Sequence, residues 1–172
     1  PNDPPELNPL TIHGLSRVHY PWIHFAEILA MLKPVVSTHQ WGVYEFHGLG
    51  GDYLATNQAA FNKLCSYLHQ HQEIWTGTFG NVVRYILERR ALTISPVGAS
   101  GSQKFRYSLR WPMNHKVYDL PLTLEWKLPQ DWTACQVTGD GHPLGCRIIT
   151  ESSGKRALVD VAVQTKMLVF ER

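Results

Sequence analysis

Between residues 22 and 90, apolar positions recur every three or four residues, interrupted by short aromatic and β-branched runs. Trp22, Phe25, Ala26, Leu29 and Leu32 share one face of a helix predicted over 22–33. Pro34 is expected to end it, because proline lacks an N–H and its ring obstructs the preceding turn. Trp41–Phe46 reads as a short strand leaving on the loop His47-Gly48-Leu49-Gly50-Gly51, where glycines allow a tight exit. A second helix over 58–71 carries Phe61, Leu64, Cys65 and Leu68 on one stripe, with Thr56 or Asn57 as its cap. A strand over 73–76 follows, then a helix over 79–90 capped by Thr78. That helix turns Phe79, Val82, Val83 and Ile86 inward and sets Arg84 one turn from Glu88, close enough to pair. Helices alternating with short strands predict an α/β domain on a mostly parallel sheet or barrel. Two strands cannot form such a sheet, so this half is expected to complete a larger domain or to lie against a partner.

Beyond Ser95 the pattern changes. Pro96-Val97-Gly98-Ala99-Ser100-Gly101-Ser102 reads as a linker, and every later signal has the period of two that marks strands. Over 104–111, Phe105, Tyr107, Leu109 and Trp111 oppose Lys104, Arg106, Ser108 and Arg110. Over 120–128, Leu120, Leu122, Leu124, Trp126 and Leu128 oppose Pro121, Thr123, Glu125 and Lys127. Further runs at 133–138, 144–150, 156–163 and 167–170 bring the total to six strands and predict a small sandwich. The expected domains are therefore 1–95 and 96–172. Within the second, Asp140-Gly141 suits a two-residue type I′ turn that sets Cys135 opposite Cys146 and places Pro143 where the ladder needs no N–H. Two readings stay open there: reduced thiols packing beside Val137 and Leu144, or a disulfide.

Composition narrows the classes. The 172 residues are 44% hydrophobic and 17% charged, in the range of packed proteins. A net charge of +2 with dispersed Lys and Arg offers no broad basic face, so nucleic acid is not an expected partner. No apolar run reaches the roughly 20 residues of a membrane-spanning helix. The opening Pro1-Asn2-Asp3-Pro4-Pro5 resembles an internal loop, and three cysteines are too few for a disulfide scaffold.

Among chemically capable residues, His47 comes first, because strand ends in α/β sheets line active sites and an imidazole exchanges protons near neutral pH. The alternative is a surface or structural imidazole. His69 and His71 fall on different helix faces, His13, His19 and His24 are irregularly spaced, and no HExxH, GxSxG or phosphate-loop motif occurs. The six tryptophans suit sugar stacking, but Trp111 and Trp126 sit on apolar strand faces and read as core. Trp132 is undecided, and Trp75 is the candidate for a pocket rim.

Two segments carry a resemblance. Trp41-Gly42-Val43-Tyr44-Glu45-Phe46-His47-Gly48-Leu49-Gly50, and the stretch from Ile74 to Arg89 that includes Trp75-Thr76-Gly77-Thr78-Phe79-Gly80, are similar to the late strands and closing helix of polysaccharide deacetylases, carbohydrate esterase family four. With Phe61 to Leu68 they cover about half the chain. The resemblance implies the C-terminal part of a distorted (β/α) barrel, followed by the small β-sandwich. It implies a secreted or periplasmic hydrolase removing N- or O-acetyl groups from a polysaccharide. It also implies that His47 is the general acid, that Tyr44 stands where the family often has an acetyl-pocket leucine, and that Trp75 contacts substrate. The implied cofactor is a divalent metal, commonly zinc, held by residues outside this chain, in the N-terminal half of the same domain or in a separate chain. The competing expectation is a non-catalytic carbohydrate-binding or adhesion protein acting through the sandwich.

Overall fold

The computed structural model describes residues 23–51, 53–98 and 103–172, and the backbone of 15–17. Trp22, His13, His19, the opening residues and 99–102 of the predicted linker lie outside the described residues. The chain divides into two compact units, Pro1–Phe79 and Gly80–Arg172.

In the first unit, β1 (Leu15–Arg17) pairs in parallel with β2 (Val43–Glu45), and α1 (Phe25–Ser37) connects them. The carboxylate of Glu27 accepts the backbone N–H of His24 at the start of α1. Pro34 lies inside the helix rather than ending it. The turn survives because the hydroxyls of Ser37 and Thr38 donate to the Pro34 carbonyl at 3.1 and 2.7 Å, holding the last turn that the proline weakens. Helix α2 (Gln58–Gln70) begins where the Asn57 side chain accepts from Ala60 N–H at 3.1 Å, so Asn57 is the cap. Ile28 and Leu32 from α1 meet Ala60 and Leu64 from α2 and Ile23 in one small core, with Phe25, Tyr44, Phe46, Tyr67, Leu68 and Ile74 packed on it. Cys65, expected on the inward stripe, is exposed.

The strand predicted over 73–76 is absent. Gln72 and Glu73 form a turn closed by Ile74 N–H on the His71 carbonyl at 3.0 Å, and Ile74 then packs into the helix core. Local β-propensity at Ile74 and Trp75 is overridden because, among the described residues, no strand pairs with this segment, while the helix core buries Ile74.

The second unit begins with α3 (Phe79–Ala91, apart from its first residue) and continues through β3 (Thr93–Pro96), β4 (Lys104–Arg110), β5 (Leu122–Lys127), β6 (Gln136–Gly139), β7 (His142–Leu144), β8 (Cys146–Glu151), β9 (Gly154–Val161) and β10 (Met167–Glu171). One sheet runs β3-β4-β10-β6-β7, the other β5-β9-β8, and all pairings within them are antiparallel. Both sheets supply one core: Leu109, Val137, Leu168 and Phe170 from the first, Ala157, Val159 and Val161 from the second, with Leu128 and Trp132. The alternation read over 104–111 and 120–128 thus has its apolar face on this core. β3 pairs with β4 in the same sheet, with Thr93↔Arg110 through Pro96↔Tyr107 in register, so residues on both sides of the predicted linker are strand partners.

Helix α3 joins the second unit through polar contacts. Arg84 donates to the Val117 carbonyl and the Asp119 carboxylate, both at 2.9 Å, and Glu88 accepts from Leu120 N–H at 3.2 Å. The ion-pair partner of Arg84 is Asp119 rather than Glu88. Glu88 is 1% exposed.

These observations overturn the expected (β/α) barrel. Among the described residues, parallel strand pairing is confined to β1 with β2, and eight of the ten strands belong to antiparallel sheets accompanied by three short helices. The barrel expectation counts 73–76 as a strand and joins α3 to the preceding helices, whereas the buried Glu88 carboxylate and the partly exposed Arg84 guanidinium of α3 bond to residues 117–120.

Candidate functional site

The loop after β2 is built by a short clamp. Thr56, fully buried, donates its N–H to the Gly48 carbonyl at 2.8 Å and accepts Gly50 N–H at 2.9 Å, making a bridge between Leu49 and Thr56. Gly50 and Gly51 have φ of 61° and 89°, a region that residues bearing a Cβ rarely enter, so the glycines are what allow the loop to close. His47 stands at the start of this loop and is exposed. Its neighbour Phe46 turns the other way and meets Phe61 of α2 edge-on, with centroids 5.1 Å apart.

Tyr44 has a structural setting. Its hydroxyl donates to the Met31 carbonyl at 3.1 Å, in the turn of α1 before Pro34, and its ring packs on the helix core. Burial pushes the phenol above its ordinary value. Gly42 is required beside it, since a Cβ there would lie 2.9 Å from the Tyr44 ring.

Trp75 is 57% exposed. The reason is local: after the His71–Ile74 turn, Ile74 enters the core and the next side chain points away from it. The turn is braced by His71, whose ring lies 4.0 Å from that of Tyr67 and whose Nδ1 is 2.7 Å from the Glu73 carboxylate. The Glu73 backbone N–H, and then His71, hold that carboxyl below its usual range. Trp75 lines an open concavity of about 540 Å³ with Leu68, Ile74, Cys65, His69, Gln72 and Thr76. His69 and Cys65 sit one helical turn apart on α2, and the Gln72 side chain donates to the His69 carbonyl at 2.6 Å. The site therefore offers an exposed indole, two aliphatic side chains and several hydrogen-bonding groups. Tyr44 is half-buried against α1 and Trp75 lines the concavity, while His47 stands on a separate loop.

Within the second unit the tryptophans are structural. Trp132 is fully buried, and Trp111 and Trp126 pack on the core with their indole N–H groups on the Thr165 carbonyl at 2.7 Å and the Tyr107 hydroxyl at 2.9 Å. The burial of Glu88 is not signalled by the sequence: it stands two residues from Ile86, on the opposite face of the helix from Val82 and Ile86, and spacing offers it only Arg84 as a partner one turn away.

The resemblance to deacetylases implies a metal. Among the described residues, no three His, Cys, Asp or Glu side chains gather as metal ligands. No described helix is long and apolar enough to cross a membrane.

Comparison with known proteins finds a short similarity. Over 94 residues, 55% of this chain, the sequence is 31% identical to a gellan lyase from a Bacillus species, and the match spans 4% of that protein's length. No family model and no solved structure matches the chain.

Proposed function

We propose that this chain is the polysaccharide-facing part of a carbohydrate-active protein. The observation that carries this reading is Trp75, a large indole left exposed over a concavity edged by His69, Gln72 and Thr76. A pyranose presents an apolar face to such a ring and hydroxyls to the surrounding polar groups. The similarity to a segment of the Bacillus gellan lyase supports the same substrate class. The finer reading is acetyl removal, as in the deacetylases that the segments around His47 and Trp75 resemble. In it His47, exposed on the clamped loop after β2, donates a proton to the departing amine or alkoxide.

The natural protein containing this chain should bind soluble acetylated polysaccharides, with gellan an early probe because the relative is named for it. Trp75→Ala should weaken binding about tenfold, the scale of one lost stacking contact. Acetate release from the same substrates should fall at least about 100-fold in His47→Ala while binding persists. Unchanged glycan affinity in Trp75→Ala overturns the binding reading. Undiminished acetate release in His47→Ala overturns the role of His47, and no acetate release by the parent protein leaves a binding module without deacetylase chemistry.

A further inference from the structure

The hairpin of β6 and β7 has Gly139↔His142, Thr138↔Pro143 and Val137↔Leu144 in register, closed by Asp140 and Gly141 with φ of 50° and 84°. Positive φ at both positions is the signature of a type I′ turn. The paired register ends at Val137↔Leu144, which leaves Cys135 two residues before the last pair on one strand and Cys146 two residues after it on the other.

The two cysteines stand beside different sheets. Cys135 directly precedes β6 of the five-stranded sheet, whereas Cys146 opens β8 and pairs with Val159 in the three-stranded sheet. Both are free thiols, both are partly buried, and both pack on the core that the sheets share. Their thiols face each other within hydrogen-bonding reach.

We propose that Cys135 and Cys146 form a redox-sensitive pair, closed to an intramolecular disulfide by an oxidant of the disulfide class, which ties the start of β6 to the start of β8. In the first step the Cys146 thiolate attacks one sulfur of the oxidant, forming a mixed disulfide and releasing one thiolate. Cys135 then gives up its proton to solvent and attacks the Cys146 sulfur, releasing the second thiolate. Two protein thiols are oxidised and one external disulfide is reduced to two thiols. Burial raises both thiols, Cys135 to about 11, while a hydrogen bond from Cys135 favours ionised Cys146, which is why Cys146 attacks first. The exchange is therefore slow at neutral pH and quickens as pH rises.

The test uses the whole chain in a Cys65→Ser background, which removes the exposed thiol. The protein is equilibrated with oxidised glutathione at mildly alkaline pH, quenched and alkylated under denaturing conditions, and mapped by mass spectrometry. A single link between the peptides carrying Cys135 and Cys146, with the loss of two hydrogens, is expected. The oxidised protein should melt about 10 °C higher than the same sample after dithiothreitol, the scale for closing a short loop in a domain of this size. Cys135→Ser should instead hold a lasting glutathione adduct on Cys146. Full alkylation of both cysteines, separate adducts on each, or links between two chains overturns the proposal.

Discussion

The two units bury their interiors in different ways. The first relies on aliphatic side chains between two helices, with Ile28, Leu32, Ala60 and Leu64 at the centre. The second stacks aromatic rings between its sheets: Trp126 lies 4.4 Å from Phe170 at 27°, with Phe105 tilted against it at 5.0 Å and Trp132 edge-on at 5.5 Å. Each such ring pair adds about 1 kcal/mol beyond its area. The second unit also holds the more regular hydrogen bonding, with Asp140 accepting from Met167 N–H at 2.8 Å and from Lys166 N–H, so its turn is fastened to β10. The first unit instead spends its irregular chain on presenting His47 and Trp75. The contrast teaches that regular sheet packing and exposed polar chemistry are kept in separate places: the sandwich tryptophans hold the core together, and the exposed indole sits on a turn after a helix.

The strongest challenge to that contrast is Trp132→Ala. Removing a fully buried indole from the aromatic core should lower the stability of the second unit by about 4 kcal/mol. Urea unfolding followed by near-ultraviolet circular dichroism checks this, and a loss under about 1 kcal/mol would show that the rings are not the main cohesion. Ile28→Ala, equally buried, should cost about 3 kcal/mol, read as a lower urea midpoint for the helical α1–α2 signal. A midpoint that does not move would mean that α1 and α2 are held by something other than their shared core. Tyr44→Phe sharpens the comparison further. Loss of its bond to the Met31 carbonyl should cost about 1 kcal/mol, and an unchanged chain would argue that this phenol belongs to a ligand site instead.

The smallest expected effect concerns Glu88. Its carboxyl is buried, one oxygen accepts from Leu120 N–H, and the other has no hydrogen-bond partner among the described residues. Burial raises its pKa above the ordinary 4.5, against the opposing pull of the Leu120 bond and Arg84. The folded protein therefore holds this proton more tightly than the unfolded chain. The stability contribution is complete below the ordinary value and is lost as pH rises through the raised one. Glu88→Gln should leave acid stability unchanged and gain stability progressively above about pH 4.5, measured as thermal midpoints across pH. A gain that is flat with pH would show that Glu88 is paired in solution.

Much of the sandwich was legible because alternation leaves little choice. Once Phe105, Tyr107, Leu109 and Trp111 share a face, that face must find a core, and a one-residue slip would expose all of them. The Asp140-Gly141 turn was legible for a similar reason, since few residue pairs accept two positive φ values. The candidate site was legible only as separate residues. His47 and Trp75 stood out by their neighbours, and Cys65, Leu68 and His69 share a face of α2 by helical spacing, whereas no spacing rule gives the turn that brings Ile74, Trp75 and Thr76 beside them. Tyr44 looked like a pocket residue by analogy, and its hydroxyl bonds to a helix carbonyl 13 residues earlier, a contact that exists only after α1 folds back on β2.

By itself the sequence determined most local periods: which stretches coil, which extend apart from 73–76, that Thr56 or Asn57 caps the second helix, and where glycine must bend the chain. These depend on atoms a few residues apart. Tertiary structure decided that Ile74 turns into a helix core instead of joining a sheet, that Pro34 is tolerated, and that α3 belongs with the sandwich through Arg84 and Glu88. Each of those outcomes is set by competition among distant partners for burial and hydrogen bonds, and the energy of that competition is written in no single segment.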